Sequence, residues 1–313
     1  MRITTMKTFK EWLAEYVEHA LAVGKSPVYL RTVRFQALGF VRWARRKRHV
    51  GTADQLNRAH LDAWTVHLAA YRTAKGLPLK PSSVNKHIES VRGFLHWLAA
   101  RAVIPAVLVN ALDYIREPRL LPASVLRHAQ IKALSKTIAA TTVTGLRDRA
   151  IVEFLYSTGI RAGELCALDV ADIDFENALA LINGKGNKQR MVPIGKTALR
   201  LLKRYLHGVR PRFAPAPDEH ALWLNAHGTR LRYHTLLLRV HRQAVGANLP
   251  AHVTPHTFRR SCTTELIRGG ANLWHVKELL GHENFDTLHH YTRLTILDLK
   301  KTHARCHPRE RQR

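Results

Sequence analysis

The chain has 313 residues, 46% of them hydrophobic, and its 50 lysines and arginines outnumber 23 aspartates and glutamates, giving a formal net charge of +27. This apolar content is sufficient for a folded core, so the positive charge belongs to a folded surface and not to a disordered basic tail. Such a surface favours a polyanion, and we expect double-stranded DNA as the partner. Composition alone leaves open a basic protein of the ribosome or of a membrane surface.

The sequence predicts a protein without a membrane span or a secretion signal. It contains no run of about 18 apolar residues, and its first residues, MRITTMKTFKEWLAEY, form an amphipathic pattern without a continuous apolar segment. The three cysteines, Cys166, Cys262 and Cys306, are odd in number and widely separated, which favours a reducing compartment over a disulfide framework. We therefore expect a cytoplasmic protein.

The first hundred residues have the periodicity of four helices joined by short loops. Thr8 and Glu11 have the spacing of a capping box, and Ser26 with Pro27 favours the start of a second helix. Apolar residues at helical spacing predict two further helices, over about 58–71 and 83–102. Four such helices predict a compact bundle, which we assign to a domain of residues 1–115.

Basic residues cluster at two places in this bundle. The run RWARRKRH, which contains Arg42 to Arg48, could contact phosphates, or it could be the solvated end of a helix where cations complement the dipole. Lys86, His87 and Arg92 on the fourth helix could also contact phosphates. No residue of the bundle is therefore assigned to a site.

Residues 116–123, REPRLLPA, are charged, interrupted by proline and without apolar periodicity. This composition predicts a linker, although an ordinary loop within one domain is the alternative. A second domain, residues 124–313, is expected to begin with two helices, over about 124–139 and 146–157. The second of these helices leads into Arg161 through a Gly-Ile turn.

The stretch ALALINGKGNKQRMVPI predicts a β-hairpin from about Leu179 to Ile194. Lys185 lies at its tip between two glycines, where a mobile lysine could donate a proton to a departing oxygen. Lys188 and Arg190 compete with it for that role or for phosphate contact. A turn lysine without a catalytic role is the further alternative.

A helix is expected from about His256 to Arg268, because Pro255 precedes it and two glycines follow it. His256 and Arg259 are three residues apart, so they project from one face near the helix N-terminus, where backbone amides favour an anion. Arg260 could orient Arg259, contact DNA or face solvent, and its role stays open.

The next helix is expected to run from its N-cap Asn272 through Leu280 and to end at Gly281, which leaves His282 just beyond its C-terminus. The helix dipole there favours a protonated imidazole that can donate to phosphate. Tyr291 follows, and its phenol can act as a nucleophile and as the leaving group of the reverse step. A surface or core role is the alternative for both residues. The rival tyrosines, Tyr205 and Tyr233, lie in no comparable sequence context.

Five stretches, in this order, resemble the tyrosine recombinases, or phage-type integrases, of the Xer/integrase type: STGIRAGELCALDVADID, GKGNKQRMVPI, HTFRR, ELLGHENFDT and HHYTRL. The resemblance extends from about Thr8 to His307. It implies a mainly α fold with a small antiparallel β-sheet in the catalytic domain, and an N-terminal core-binding domain that completes a C-shaped clamp around DNA. The sequence departs from the family pattern HxLRH at Arg260, whereas the HxxR core of that motif is intact.

The resemblance implies a site-specific DNA recombinase, active in integration, excision or dimer resolution, that works through a 3′-phosphotyrosine. In this scheme the tyrosine attacks the scissile phosphate, the two arginines hold its oxygens and the lysine is the general acid. The first histidine assists proton movement and the second donates a hydrogen bond. The bond energy stays in the protein ester, so no metal, ATP or other cofactor is required. The six implied catalytic residues are Arg161, Lys185, His256, Arg259, His282 and Tyr291.

Asp148 and Glu164 lie near Arg161 in the sequence and are expected to orient the arginine motif. In the family, a C-terminal segment docks into a neighbouring subunit, which implies a homotetramer on paired recombination sites. The alternatives are a type IB topoisomerase and a catalytically silent DNA-binding regulator. A metal-dependent transposase would need a carboxylate triad that no motif supplies. The HARCH tail is too irregular for a zinc site.

Overall fold

The computed structural model describes residues 7–117, 125–139, 141–184, 188–250 and 252–281. The chain divides into two compact units, Met1–Arg119 and Leu120–Arg313. Lys185, His282, Tyr291, the C-terminal segment and most of the expected linker lie outside the described residues. Within the described ranges, no helix is long and apolar enough to cross a membrane.

The first unit contains the helices that the sequence predicts. The capping box is present, because the Glu11 amide donates to Thr8 Oγ1 at 3.3 Å and the Thr8 amide donates to Glu11 Oε2 at 2.6 Å. Ser26 caps the second helix through the Tyr29 amide. The four helices are α1 (Phe9–Ala22), α2 (Pro27–Arg48), α3 (Arg58–Ala70) and α4 (Pro81–Ala99).

Aromatic side chains form the centre of this bundle. Phe9 lies 5.8 Å from the rings of both Phe40 and Phe94, and Phe40 lies 5.4 Å from Trp64. Each is at most 3% exposed. Burying a side chain of this size contributes about 1.5–3 kcal/mol, so these contacts account for much of the unit's stability.

The basic run ends α2. Its last turn contains Arg45, Arg46, Lys47 and Arg48, and His49 closes the helix in the left-handed conformation. All five side chains are exposed. Cations at the C-terminal end of a helix interact favourably with its dipole, and their exposure leaves them available to phosphates. Phosphate contact and a solvated helix end therefore both stay predictions for this run.

The second unit is mainly α-helical, with one small antiparallel sheet. Its helices are α5 (His128–Thr137), α6 (Val143–Thr158), α7 (Ala162–Ala167), α8 (Lys196–Gly208), α9 (Tyr233–Gly246), α10 (Pro255–Arg268) and α11 (Leu273–Leu280). Its strands are β1 (Ile173–Asp174), β2 (Leu179–Asn183) and β3 (Gln189–Pro193).

The predicted hairpin is confirmed as β2 and β3, which pair antiparallel with Leu181 opposite Met191. The sheet order is β1-β2-β3, and β1 has only two residues, too few for a sequence pattern to identify. Alternation buries Ala180, Ile182 and Val192 completely on one face. The hairpin is therefore anchored to the core of the unit by one face.

Asp148 does not orient the arginine motif, and that expectation is wrong. It accepts from its neighbour Arg147 at 2.7 Å and from Arg239 at 3.1 Å inside the core. Arg147 is fully buried and also donates to the Leu224 carbonyl at 2.8 Å. Asp148 lies about 15 Å along α6 from the end of that helix, given a rise of 1.5 Å per residue, which separates it from Arg161.

Candidate active site

Arg161 lies in the turn between α6 and α7. Gly159 ends α6 in the left-handed conformation (φ +63°), where a Cβ would come within 2.9 Å of Leu280 Cδ2. The chain then enters α7 with Arg161 at the N-cap. Glu164 holds this residue twice, since it accepts from the Arg161 amide at 2.8 Å and from its Nη1 at 2.7 Å. The Arg161 side chain remains 44% exposed.

Arg259 is positioned from the opposite direction by α10, which begins at Pro255. Its guanidinium is buried, and it donates to the carbonyls of Gly159 and Leu280, each at 2.8 Å. His256, one turn earlier on α10, is exposed. The expectation that these residues share one end of the helix is confirmed by the bounds of α10, but their environments differ in burial.

Three guanidiniums meet at the C-terminus of α11. Arg190 Nε donates to the Leu279 carbonyl at 2.9 Å, and Arg161 Nη2 donates to the Gly281 carbonyl at 2.9 Å. Arg259 occupies the carbonyl between them, that of Leu280. The last carbonyls of a helix have no partner within the helix and carry its negative dipole, so they attract cations. One helix end thereby fixes three arginines that come from three different elements.

Glu164 lies between two of these arginines. Arg190 donates to both of its oxygens, at 3.1 and 2.8 Å, in addition to the two hydrogen bonds from Arg161. Burial alone raises the pKa of the Glu164 carboxyl, but the hydrogen bonds from Arg190 and Arg161 outweigh burial and the net pKa is lowered. The carboxylate is therefore ionised at neutral pH and compensates part of the positive charge.

A cavity of about 740 Å³ opens beside these residues. It is the place where an anion could meet guanidinium groups, whose planar donors match the oxygens of a phosphate. Its polar and charged lining includes Arg161, Glu164, Asn183, Tyr233, His256 and Arg259.

Desolvation, together with nearby positive charge, lowers the pKa of the His256 imidazole. Although the residue is exposed, neighbouring protein atoms replace part of the water around the ring, and this desolvation is the largest cause. The guanidiniums of Arg260, Arg259 and Arg161 lower the pKa further. The ring is therefore neutral at pH 7 in the absence of an anion. A neutral imidazole can accept a proton as well as donate one.

The structure brings together three of the six predicted site residues, because Arg161, His256 and Arg259 line the same cavity. The other three lie outside the described residues. Lys185 follows Gly184, which also lines the cavity. His282 follows Gly281, whose carbonyl accepts from Arg161.

Arg190 has a different place from the one the sequence offered it. It was a candidate for phosphate contact or proton donation, yet its guanidinium is bound to Glu164 and to the Leu279 carbonyl. The strand alternation contained the signal, because Arg190 shares a face of β3 with the buried Val192. An arginine on the inward face of a strand requires an anionic partner inside.

Two tyrosines that the sequence grouped together are distinguished by the structure. Tyr205 is 1% exposed, its oxygen accepts from the Leu224 amide at 3.1 Å, and burial raises the pKa of its phenol to about 12. Tyr233, the first residue of α9, is 54% exposed and lines the cavity. Sequence context alone missed Tyr233, because only the packing of α9 brings it to this place.

The chain is similar to known proteins over most of its length. The model of the phage integrase family matches residues 124–296. The tyrosine recombinase XerC of Mycobacterium tuberculosis is 34% identical over 259 residues, 82% of this chain and 85% of the relative. The XerC of Mycobacterium sp. strain KMS is 38% identical over 254 residues, 80% and 82% of the two chains.

The chain is therefore a tyrosine-type site-specific recombinase. The chain belongs to the phage integrase family.

Solved structures share the fold. The integrase of the Tn1549 transposon, in complex with a circular intermediate DNA, aligns with a TM-score of 0.74 at 19% identity, over 94% of this chain and 98% of that one. The XerH site-specific recombinase bound to its difH substrate aligns with a TM-score of 0.68 at 21% identity, over 94% and 83%. These likenesses confirm the expected mainly α fold with a small antiparallel sheet.

Proposed function

We propose that this recombinase cuts and rejoins double-stranded DNA by transesterification, with Tyr291 as the nucleophile and a 3′-phosphotyrosine as the intermediate. The observation that carries the proposal is the convergence of Arg161, Arg259 and His256 on one cavity. Two guanidiniums fixed by a helix end are suited to a phosphodiester, which gains negative charge at its equatorial oxygens in the transition state.

Arg161 and Arg259 take the non-bridging oxygens of the scissile phosphate in this scheme. Their hydrogen bonds to Gly281, Leu280 and Gly159 carbonyls hold them before DNA arrives. Preorganised donors of this kind need no rearrangement as charge develops, and losing one costs about 10²–10³ in rate. The exposed side chain of Arg161 is the more accessible of the two to substrate.

Each chemical step exchanges one phosphate ester for another. The Tyr291 oxygen forms a bond to phosphorus, the bond from phosphorus to the 5′ oxygen breaks, and that oxygen takes up a proton. Lys185 is the proposed donor of this proton, with the exposed Lys188 as its rival. His256, neutral before DNA binds, accepts the proton that the Tyr291 phenol loses as its oxygen bonds to phosphorus, and His282 adds a hydrogen bond.

Rejoining reverses this step with a different strand. A 5′-hydroxyl from the partner duplex attacks the phosphotyrosine, and the tyrosine leaves as a phenol. The number of phosphoester bonds is unchanged throughout, so the exchange requires no ATP.

DNA is the proposed partner of both units. Among the similar solved structures, the Tn1549 integrase and XerH are bound to DNA, and the net charge of +27 favours the same ligand here. We assign residues 1–115 to a core-binding domain, 116–123 to a linker and 124–313 to the catalytic domain. A substrate of this kind favours a cytoplasmic location.

The proposed assembly is a homotetramer on paired recombination sites, held by the segment that follows Tyr291. Deleting the residues after Thr295 should reduce strand exchange far more than binding of a single site. Equal losses of exchange and binding would argue against the assembly.

The assignment of Tyr291 as the nucleophile is tested on a DNA site that the protein selects from a random pool. Duplexes bound by the Tyr291→Phe variant are selected from a randomised pool and sequenced, and the preferred site is prepared with a nick beside the scissile phosphate. Cleavage then releases a short fragment that carries the 5′-hydroxyl. Because this fragment diffuses away, the strand cannot be rejoined and the covalent adduct accumulates. In EDTA, the wild-type chain should form a complex that survives detergent, whereas Tyr291→Phe should bind the duplex without forming it. An adduct on Tyr291→Phe would reject this residue as nucleophile.

Exchange between duplexes separates recombination from simple relaxation. Two duplexes of different length that carry the selected site should exchange arms in the presence of the wild-type chain. Relaxation of a supercoiled plasmid without such products would indicate a type IB topoisomerase activity.

A further inference from the structure

We propose that Arg190 is a positioning residue for strand cleavage, which acts through Glu164 to hold Arg161 and the end of α11. This inference rests on the proposed function and assigns a role to a residue that does not contact the substrate. Arg190 is absent from the lining of the cavity, as far as the described residues define it.

The guanidinium of Arg190 is almost fully engaged by protein. Its side chain is 13% exposed, and it makes a two-pronged contact with Glu164 at 3.1 and 2.8 Å and a third hydrogen bond to the Leu279 carbonyl at 2.9 Å. A paired fork of this geometry fixes direction as well as distance. A lysine at this position could not make all three contacts, because it presents a single nitrogen.

These contacts close a ring that includes Arg161. Glu164 accepts from both arginines, Arg190 binds the Leu279 carbonyl, and Arg161 binds the Gly281 carbonyl two residues later. The ring contains a strand residue, a residue of α7 and the end of α11. Loosening Arg190 therefore frees both supports of Arg161, its carboxylate and its carbonyl.

Arg190 also packs against Gly184 and Gly281, the residues that precede Lys185 and His282. A Cβ built on Gly281 would lie 3.1 Å from Arg190 Cζ, and one built on Gly184 would lie 3.5 Å from Arg190 Nη1. Gly281 precedes His282 and Gly184 precedes Lys185 in the sequence. The same guanidinium thus packs against the chain where it leads towards the proposed general acid and the second histidine.

The Arg190 guanidinium also stabilises the ionised form of the Glu164 carboxyl. Burial raises the pKa of its carboxyl, and the Arg190 hydrogen bond is the largest effect opposing burial. Without that guanidinium, the carboxylate would be held by Arg161 alone. Glu164 would then no longer be fixed from β3, and Arg161 would lose a partner with a fixed position.

The test measures single-turnover cleavage of the nicked duplex at saturating DNA by Arg190→Lys, together with duplex affinity and thermal stability. We expect a cleavage rate about 10- to 100-fold below wild type, since displacements near 1 Å are worth about 10²-fold. The dissociation constant should stay within about twofold, because the residue makes no substrate contact. The matched control is Arg210→Lys, whose guanidinium also binds backbone carbonyls, those of Glu219 and Ala221. This control should cleave at the wild-type rate.

A double-mutant cycle of Glu164→Gln and Arg190→Gln tests whether Arg190 acts through Glu164. It remains informative if Arg190→Lys is poorly folded. If both residues act as one unit, the double variant Glu164→Gln, Arg190→Gln should lose no more activity than the more impaired single variant. Additive losses would overturn the route through Glu164. Wild-type cleavage by Arg190→Lys would overturn the positioning role itself. Absence of any adduct with the wild-type chain would reject the proposed function instead.

Discussion

Arg161 donates from Nη2 to the carbonyl of Gly281 at 2.9 Å, a hydrogen bond between residues 120 positions apart in the chain. This hydrogen bond joins the N-terminus of α7, where Arg161 lies, to the C-terminal end of α11. The arginine is therefore not an isolated surface cation but a side chain with a fixed direction. Its remaining exposure is what makes a substrate role possible.

Replacing Arg161 by lysine should reduce cleavage of the nicked duplex by about 10²–10³-fold. Lysine retains the charge but cannot bind Glu164, the Gly281 carbonyl and a phosphate oxygen in the geometry of the guanidinium. Binding of intact duplex should change little, because many other cations contribute to it. The measurement is the rate of adduct formation at saturating DNA. A rate near wild type would show that charge alone is sufficient at this position.

Neutralising Glu164 should change how stability depends on pH. The folded-state pKa of this carboxyl is lowered, so its contribution is present above the unfolded-state pKa and is lost as pH falls through the folded-state pKa. At pH 7, Glu164→Gln should destabilise the catalytic unit by about 1.5–3 kcal/mol, the value of a hydrogen bond to a charged group.

Urea unfolding of wild type and Glu164→Gln between pH 3 and pH 7 measures this difference. The two curves should converge as the pH falls below the unfolded-state pKa of about 4.3. The exposed Glu176→Gln, which lies outside the site, is a suitable control and should leave the curve unchanged. Parallel curves for wild type and Glu164→Gln would show that the ionised carboxylate contributes nothing.

Much of the architecture could be predicted because its causes are local. The capping box of Thr8 and Glu11, the Ser26 cap and the pairing of β2 with β3 all lie within a few residues of sequence. The carbonyl contacts at the end of α11 could not be predicted in this way. Arg190 and Leu279 are 89 positions apart, and no pattern in either segment specifies their approach. The Asp148 prediction failed for the same reason, since proximity in sequence on one helix does not place two side chains together.

His256 should titrate below the usual histidine pKa of about 6.5 in the protein without DNA. Desolvation and the guanidiniums of Arg260, Arg259 and Arg161 all disfavour its protonated form. Proton NMR of the ring resonances gives the midpoint, and His256→Asn identifies the signal by its loss. A bound phosphodiester should raise the midpoint, because it supplies negative charge. A midpoint above 6.5 in the free protein would show that desolvation and the three guanidiniums do not control the protonation of this ring.

Gly159→Ala should destabilise the catalytic unit and reduce cleavage. Its positive φ costs about 1–2 kcal/mol with any side chain, and a Cβ would also come within 2.9 Å of Leu280. Gly24→Ala is the matched control, since it has φ +84° and no atom within 4 Å of the added carbon. Chemical denaturation of each unit should show a larger loss for Gly159→Ala. Equal losses would mean that the α11 end moves away at little cost.

The last prediction distinguishes two candidate nucleophiles, Tyr233 and Tyr291. Tyr233 lines the cavity beside Arg161 and His256, so the described geometry alone would allow it to approach a bound phosphate. If Tyr291 is the nucleophile, Tyr233→Phe should still form the covalent adduct, with a rate within about tenfold of wild type, the loss of roughly one hydrogen bond. Mapping the DNA-linked peptide by mass spectrometry identifies the attached residue directly. Attachment at Tyr233, with loss of the adduct in Tyr233→Phe, would move the nucleophile to α9 and leave the arginine framework of the site unchanged.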